Sequence, residues 1–252
     1  MAEPALGDQA RWEAWQRSWD QQQERGIGDR EERLGVLVSL AGEAGSDSPR
    51  VLDLACGCGS VTSRLLLRHP QASVVALDLD PVLLRIARGV LGRDPRVRLV
   101  EADLRSEDWV DRLGGATFDI ALTATALHWL SPERLVDLYR ALVGRIRPGG
   151  VFANADHMAP GPGPQLTRLA TALDAPPGEA GLSWEDWWAE VGKDPELGQL
   201  LPQRQRRFGF GLHPAEFNPP AAWHLAQLVE AGFVEAGEVW RRGNATVVVA
   251  TR

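Results

Sequence analysis

The sequence predicts an open, doubly wound α/β sheet whose strands are mostly parallel, seven in all. Three observations carry that prediction. Five short apolar runs, 51–55, 73–78, 96–103, 117–125 and 151–156, alternate with segments of helical pattern. The first of them, VLDLA, leads straight into a turn of glycine and cysteine, Cys56-Gly57-Cys58-Gly59. The chain then closes with two strand-like stretches, 233–241 and 244–251, joined tightly enough for an antiparallel hairpin. Near-continuous apolar runs mark strands buried on both faces. Alternation with helices at this spacing marks parallel strands joined by crossovers.

Each element follows in order. Residues 9–43 read as two helices. Trp12, Trp15 and Trp19 recur at spacings of three and four and share one helix face. Gly26 and Gly28 break the pattern, and a second helix over about 29–43 turns Leu34, Leu37, Val38 and Ala41 inward. After the first strand, Ser60 is placed to cap a helix over about 60–69. Pro81 suits the first turn of a helix over about 81–92. Ser131 and Pro132 open a helix to about Ile146, ended by Arg147-Pro148-Gly149-Gly150. Residues 157–207 interrupt the alternation with a loop, APGPGP, and helical pieces near 165–175, 183–192 and 195–201. A helix near 220–231 precedes the hairpin. The resulting domain plan is an N-terminal helical cap (1–44), a core (45–157 and 208–252) and a helical lid insertion (158–207).

A chain of 252 residues, 44% of them hydrophobic, can bury one large core with a lid. No apolar run approaches the roughly 18 residues needed to span a bilayer. The first residues lack the basic-then-apolar order of a secretory signal, which predicts a cytoplasmic protein without membrane attachment. The net charge of −7 opposes a nucleic-acid partner, because such proteins displace counterions with basic patches. The strip Arg204, Arg206, Arg207 reads as solvated surface.

The turn at 56–59 carries the chemistry. Zinc needs three or four ligands from paired motifs. Here there is one Cys-x-Cys and five scattered histidines, so no metal is expected. A redox pair has two residues between its cysteines, so Cys56 and Cys58 read as small packing residues. The dinucleotide fingerprint GxGxxG also fails, since Thr62 stands where the third glycine belongs. Asp53 would repel a pyrophosphate and attract a cation. The amino group and sulfonium of S-adenosylmethionine meet that requirement.

Asp53-Leu54-Ala55-Cys56-Gly57-Cys58-Gly59 resembles the first motif, D-x-G-x-G-x-G, of the class I S-adenosylmethionine-dependent methyltransferases, with Ala55 in place of the first glycine. Asp78 ends the second strand, where that family places an acid on the ribose hydroxyls, and Leu79 would lie against the adenine. Glu101-Ala102-Asp103-Leu104 resembles the third-strand motif, in which Asp103 would accept from the adenine amino group and the backbone of Ala102 or Leu104 would meet the ring. Thr123-Ala124-Thr125-Ala126-Leu127-His128-Trp129 is similar to the segment after the fourth strand in small-molecule members. Arg147 to Gly150 is similar to their turn before the fifth. The resemblance covers about 30–157 and the hairpin. It implies a Rossmann-like core, S-adenosylmethionine as cofactor and S-adenosylhomocysteine as product. It also implies cofactor contacts from Asp53, Ala55, Cys56, Gly57, Gly59, Asp78, Leu79, Ala102, Asp103, Leu104 and Thr123.

The implied reaction is an in-line methyl transfer, in which alignment and desolvation supply most of the acceleration. A base is needed only for an acceptor that holds its proton. His128 follows the fourth strand and His157 the fifth, with Asp156 adjacent to orient His157; both are candidate bases. His213 and His224 lie in or near the lid. Ten tryptophans are many for this length, and six fall in two clusters, 12–19 and 184–188. In small-molecule relatives these regions fold over the site. Trp19, Trp129, Trp184 and Trp188 are therefore expected to shape an apolar acceptor pocket and steady the sulfonium. The expected acceptor is a small molecule, by resemblance at oxygen, in natural-product biosynthesis. The alternative is a protein of the same fold that uses the cofactor structurally, as in a cyclisation. Asp53 and the missing third glycine oppose an oxidoreductase. TATALHW, standing where nucleic-acid methyltransferases carry Asn/Asp-Pro-Pro-Tyr/Phe, opposes that class too.

Overall fold

The computed structural model describes residues 6–44, 46–161, 163–209 and 217–252. Seven strands form one sheet in the order β3-β2-β1-β4-β5-β7-β6. They are β1 (Arg50–Leu54), β2 (Ser73–Asp78), β3 (Val97–Glu101), β4 (Phe118–Ala124), β5 (Ile146–His157), β6 (Glu235–Arg242) and β7 (Ala245–Thr251). The first five are parallel; β7 runs antiparallel between β5 and β6. The central strands are the near-continuous apolar runs because both their faces are covered. On one face lie α2 (Arg30–Glu43), α3 (Ser60–Arg68) and α4 (Pro81–Leu91), which bury Leu34, Leu37, Leu65 and Leu84. On the other lie α5 (Pro132–Val143) and α9 (Ala221–Ala231), which bury Leu135, Leu138, Tyr139 and Leu228.

The remaining helices build a roof over the carboxyl edge of the sheet. They are α1 (Leu6–Gly26), α6 (Pro164–Thr171), α7 (Trp184–Lys193) and α8 (Leu201–Phe208). Helix α1 docks on α4 at Gly89, where a Cβ would stand 2.0 Å from Trp12 Cγ, so only glycine admits the indole. The inward face of α1 then meets α7: Trp12, Trp19, Cys58, Val82, Ile86, Trp187 and Val191 form one buried cluster. No helix among the described residues is long and apolar enough to cross a membrane.

Four local expectations are corrected. Ser60 does not cap α3; Gly59 does, at φ 80°, and Ser60 Oγ instead donates to Asp20 at 2.6 Å. Helix α5 ends at Val143, so Ile146 belongs to β5. Arg147 to Gly150 lie inside β5 as a bulge. The register there moves from Phe118↔Ile146 to Ile120↔Val151, and Gly149 supplies the positive φ of 76° that the kink needs. The third lid helix runs to Phe208 rather than 201, preceded by a 3-10 turn at Gly198–Leu200.

Candidate functional site

In a sheet of this order, the crevice opens beyond the carboxyl ends of β1 and β4, where neighbouring connections depart to opposite faces. A cavity of about 900 Å3 lies there. At the end of β1 it is lined by Asp53, Ala55, Cys56 and Gly57. Ala55, Gly57 and Gly59 all have positive φ, so the turn needs the left-handed region at every second residue. Cys56 and Cys58 are buried, and burial pushes both thiols well above their usual range, which suits packing and not redox work.

Two carboxylates flank the turn, Asp53 buried and Asp78 half-buried. Asp53 accepts from Thr62 Oγ1 at 2.6 Å, yet burial raises its pKa to about 7. Asp78, at the end of β2, accepts from the Gly57 and Asp80 amides, each at 2.7 Å, and burial raises it to about 6. Leu79, Ala102, Asp103 and Leu104 continue the lining beyond β2 and β3. Burial works against ionisation of Asp103, but Arg105, bonded to both its oxygens, holds it below the usual carboxylate range. Gly59 and Thr123 do not line the cavity. Gly59 caps α3, and Thr123 is fully buried in β4, facing its cross-strand partner Asn154. Ala124, Thr125 and Ala126 line the cavity at the end of β4.

Beyond β4 and β5 the cavity holds both candidate histidines. Asp156 was expected beside the His157 ring; it serves His128 instead. Its oxygens lie 2.9 and 3.0 Å from His128 Nδ1, and it meets His157 only through the His157 backbone amide, at 2.9 Å. The reason is strand alternation, which sends side chains 156 and 157 to opposite faces. Burial alone would raise Asp156, but the hydrogen bond and charge of His128 outweigh it and hold it low. The His157 ring turns to α2, where its Nε2 lies 3.3 Å from Arg33 Nη2. Arg33 is paired in turn with Asp29. Burial, then Arg33, lowers the pKa of His157. His224 is buried against the Tyr139 hydroxyl, and the cavity lining does not include it. His213 lies outside the described residues.

Trp19, Trp129, Trp184 and Trp188 all line the cavity. Trp129 stands beside His128, ring centroids 4.6 Å apart. Trp188 stands at the other end, under Arg204, whose guanidinium stacks on it at 3.8 Å and bonds Asp80 at 2.6 Å. Arg207 bonds the Leu79 carbonyl at 2.6 Å and pairs with Glu101. Arg204 and Arg207 are therefore not solvated surface: they fasten the lid to the β2 edge. Sequence reasoning also missed Arg30, which lines the cavity and pairs with Asp20 at 2.9 Å. A signal for it existed. Arg30 and Arg33 fall on the same inward stripe as Leu34, Leu37 and Ala41, and arginine on an apolar stripe is rarely idle.

Residues 51–150 match the family described as methyltransferase domain. The chain is 34% identical over 192 residues to trans-aconitate 2-methyltransferase of Azoarcus sp. (strain BH72), covering 72% of each. An uncharacterized methyltransferase of Synechocystis sp. is 33% identical over 176 residues, covering 69% of this chain and 73% of that one. Among solved structures, mitomycin 7-O-methyltransferase superposes with a TM-score of 0.55 at 15% identity, over 88% of this chain and 53% of its own. Human N-acetylserotonin methyltransferase in complex with SAM gives 0.51 at 16%, over 89% and 56%. These two likenesses speak for the fold. The glycine turn between the carboxylates of Asp53 and Asp78, at the crevice of this sheet, fits a cationic nucleoside. With that fit and these relatives, the chain belongs to the class I S-adenosylmethionine-dependent methyltransferases, and S-adenosylmethionine is its cofactor.

Proposed function

We propose that the enzyme methylates an oxygen of a small-molecule acceptor in a biosynthetic pathway, with His128 taking the acceptor's proton. The observation that carries this reading is His128 in the cavity wall, paired with the buried Asp156. A carboxylate only accepts, so the ring proton sits on Nδ1 and Nε2 is left as the basic nitrogen. Bound in the crevice, the cofactor supplies an electrophilic methyl on a sulfonium. Asp78 takes the ribose hydroxyls, and Asp53 faces the cationic amino-acid end across the turn of Ala55, Cys56 and Gly57. Ala102, Asp103 and Leu104 border the adenine. Trp19, Trp184 and Trp188, in the cap and lid, close over the cofactor and exclude water, and Trp129 borders the acceptor.

The relatives named for trans-aconitate favour a second reading, in which the oxygen belongs to a carboxylate. Against it, the cavity-lining arginines are already matched: Arg30 by Asp20, Arg105 by Asp103, Arg204 by Asp80. Incubation with methyl-labelled S-adenosylmethionine and a panel of phenols, alcohols and carboxylic acids, trans-aconitate included, separates the two. Alkali-stable ethers are the expected product; alkali-labile esters alone would establish the carboxylate reading.

A pH dependence follows from Asp53 and Asp78. Their folded pKa values lie above the unfolded ones, so their contribution to stability is fully present below about pH 4 and is lost as pH rises through about 6 and 7. A cation facing Asp53, and hydroxyls donated to Asp78, favour the ionised forms. Binding is therefore expected to release protons, and S-adenosylmethionine affinity to fall as pH drops from about 8 to about 5.5. Calorimetry in buffers of different ionisation heat reads both effects. Equal affinity at the two pH values, with no proton release, would separate these carboxylates from the cation.

A further inference from the structure

The two histidines of the cavity face their supports with opposite polarity. His128 has its Nδ1 on a carboxylate. His157 has its Nε2 on a guanidinium. An arginine has five N–H donors and no acceptor. The Arg33–His157 contact therefore exists only with a lone pair on Nε2, and the proton of the neutral ring then sits on Nδ1. Arg33 cannot swing away, because it is 2% exposed and is clamped by Asp29, with Nε to Oδ1 at 2.7 Å. The charged groups around the His157 ring are Arg33 and Asp29 from α2, Asp156 from its own strand and Asp174 from the segment after α6. Burial and Arg33 keep the ring neutral. Its basic nitrogen is spent on Arg33, so the ring that lines the cavity can only donate.

We propose that His157 is the hydrogen-bond donor of the acceptor site, presenting Nδ1–H to a carbonyl or carboxylate oxygen that the acceptor carries beside the hydroxyl deprotonated by His128. This rests on the hydroxyl reading above and narrows it. A base and a fixed donor, at the ends of adjacent strands β4 and β5, select a hydroxyl with a neighbouring C=O. A bare phenol offers only half of that pattern. The Asp29–Arg33 pair acts through His157 as a positioning element, with no direct part in the transfer.

The test has two arms. Nitrogen NMR of the histidine rings near pH 7.5, with His157 assigned by difference from His157→Asn, is expected to show Nδ1 protonated and Nε2 bare. A ring protonated on Nε2, or on both nitrogens, overturns the proposal. In the second arm, salicylate, 2-hydroxyacetophenone and phenol are titrated into the S-adenosylhomocysteine complexes of wild type, His157→Asn and His157→Ala. Asparagine keeps a donor near the Nδ1 position. Salicylate or 2-hydroxyacetophenone is expected to bind wild type and His157→Asn about tenfold or more tightly than His157→Ala, as a lost hydrogen bond to a buried donor implies. Phenol is expected to show no such difference. Whichever of the first two shows it identifies a carboxylate or a carbonyl. Equal affinities across the three proteins, or no binding of either C=O probe to wild type, overturn the proposal. Failure of S-adenosylhomocysteine to bind is a separate result and sinks the cofactor assignment, while the ring tautomer still reports on His157.

Discussion

Replacing Asp78 by asparagine is expected to weaken S-adenosylhomocysteine binding by about a hundredfold or more. The carboxylate already accepts from the Gly57 and Asp80 amides, so it sits rigidly at the end of β2, where it lines the cavity. Two ribose hydroxyls donated to it are charge-assisted bonds, each worth about 1.5–3 kcal/mol. Losing most of two such bonds is a factor of about 10² to 10³ in affinity. Asparagine offers one oxygen where two are used, and its NH2 meets an amide N–H that also donates. Calorimetry reads the affinity, and thermal melting of the ligand-free variant shows whether the fold survives. Unchanged affinity in a folded variant would remove Asp78 from the cofactor site.

Replacing His128 by glutamine, or Asp156 by asparagine, is expected to lower kcat by about 10² to 10⁴, the usual contribution of a positioned base. S-adenosylhomocysteine affinity should change by no more than a few-fold. The asparagine variant is the sharper of the two. Its amide NH2 can face Nδ1, which then gives up its proton to Nε2, and the base is lost with the imidazole still in place. The acidic limb of the kcat/KM profile should vanish in both variants. Full turnover in either, with the acidic limb intact, would mean that the acceptor arrives already ionised. That outcome would favour a carboxylate.

The parts of the site that could be read from sequence lie at the ends of strands. A strand's end is set by local pattern, so Asp53, Asp78 and Ala102 to Leu104 could be placed on the carboxyl edge before any contact was known. What could not be read depends on partners distant in the chain. Arg33 meets His157, and Arg204 meets Asp80, each across 124 positions. With its partner that far away, Arg204 looked like surface. Asp156 beside His157 suggested an orienting pair, but alternation along β5 turned the carboxylate to His128, 28 positions earlier. The same parity keeps Thr123 off the cavity wall, level with Asn154 inside the sheet. Arg147 to Gly150 show a different limit. A Pro-Gly-Gly sequence kinks the backbone equally well after a helix or within a strand, and here Gly144 had already ended α5.

The joint between α1 and α7 has an optical consequence. Trp15, Trp19, Trp184, Trp187 and Trp188 hold their ring centroids 4.9 to 6.5 Å apart in neighbouring pairs. Indoles that close share their excited states and absorb as one coupled chromophore. A motion that carries both helices together leaves the near-ultraviolet dichroism of that chromophore unchanged, whereas one that parts them removes the share of Trp15 and Trp19 and leaves the pairs within α7. The enzyme thus carries a native optical gauge of how its roof admits the cofactor, with no label attached.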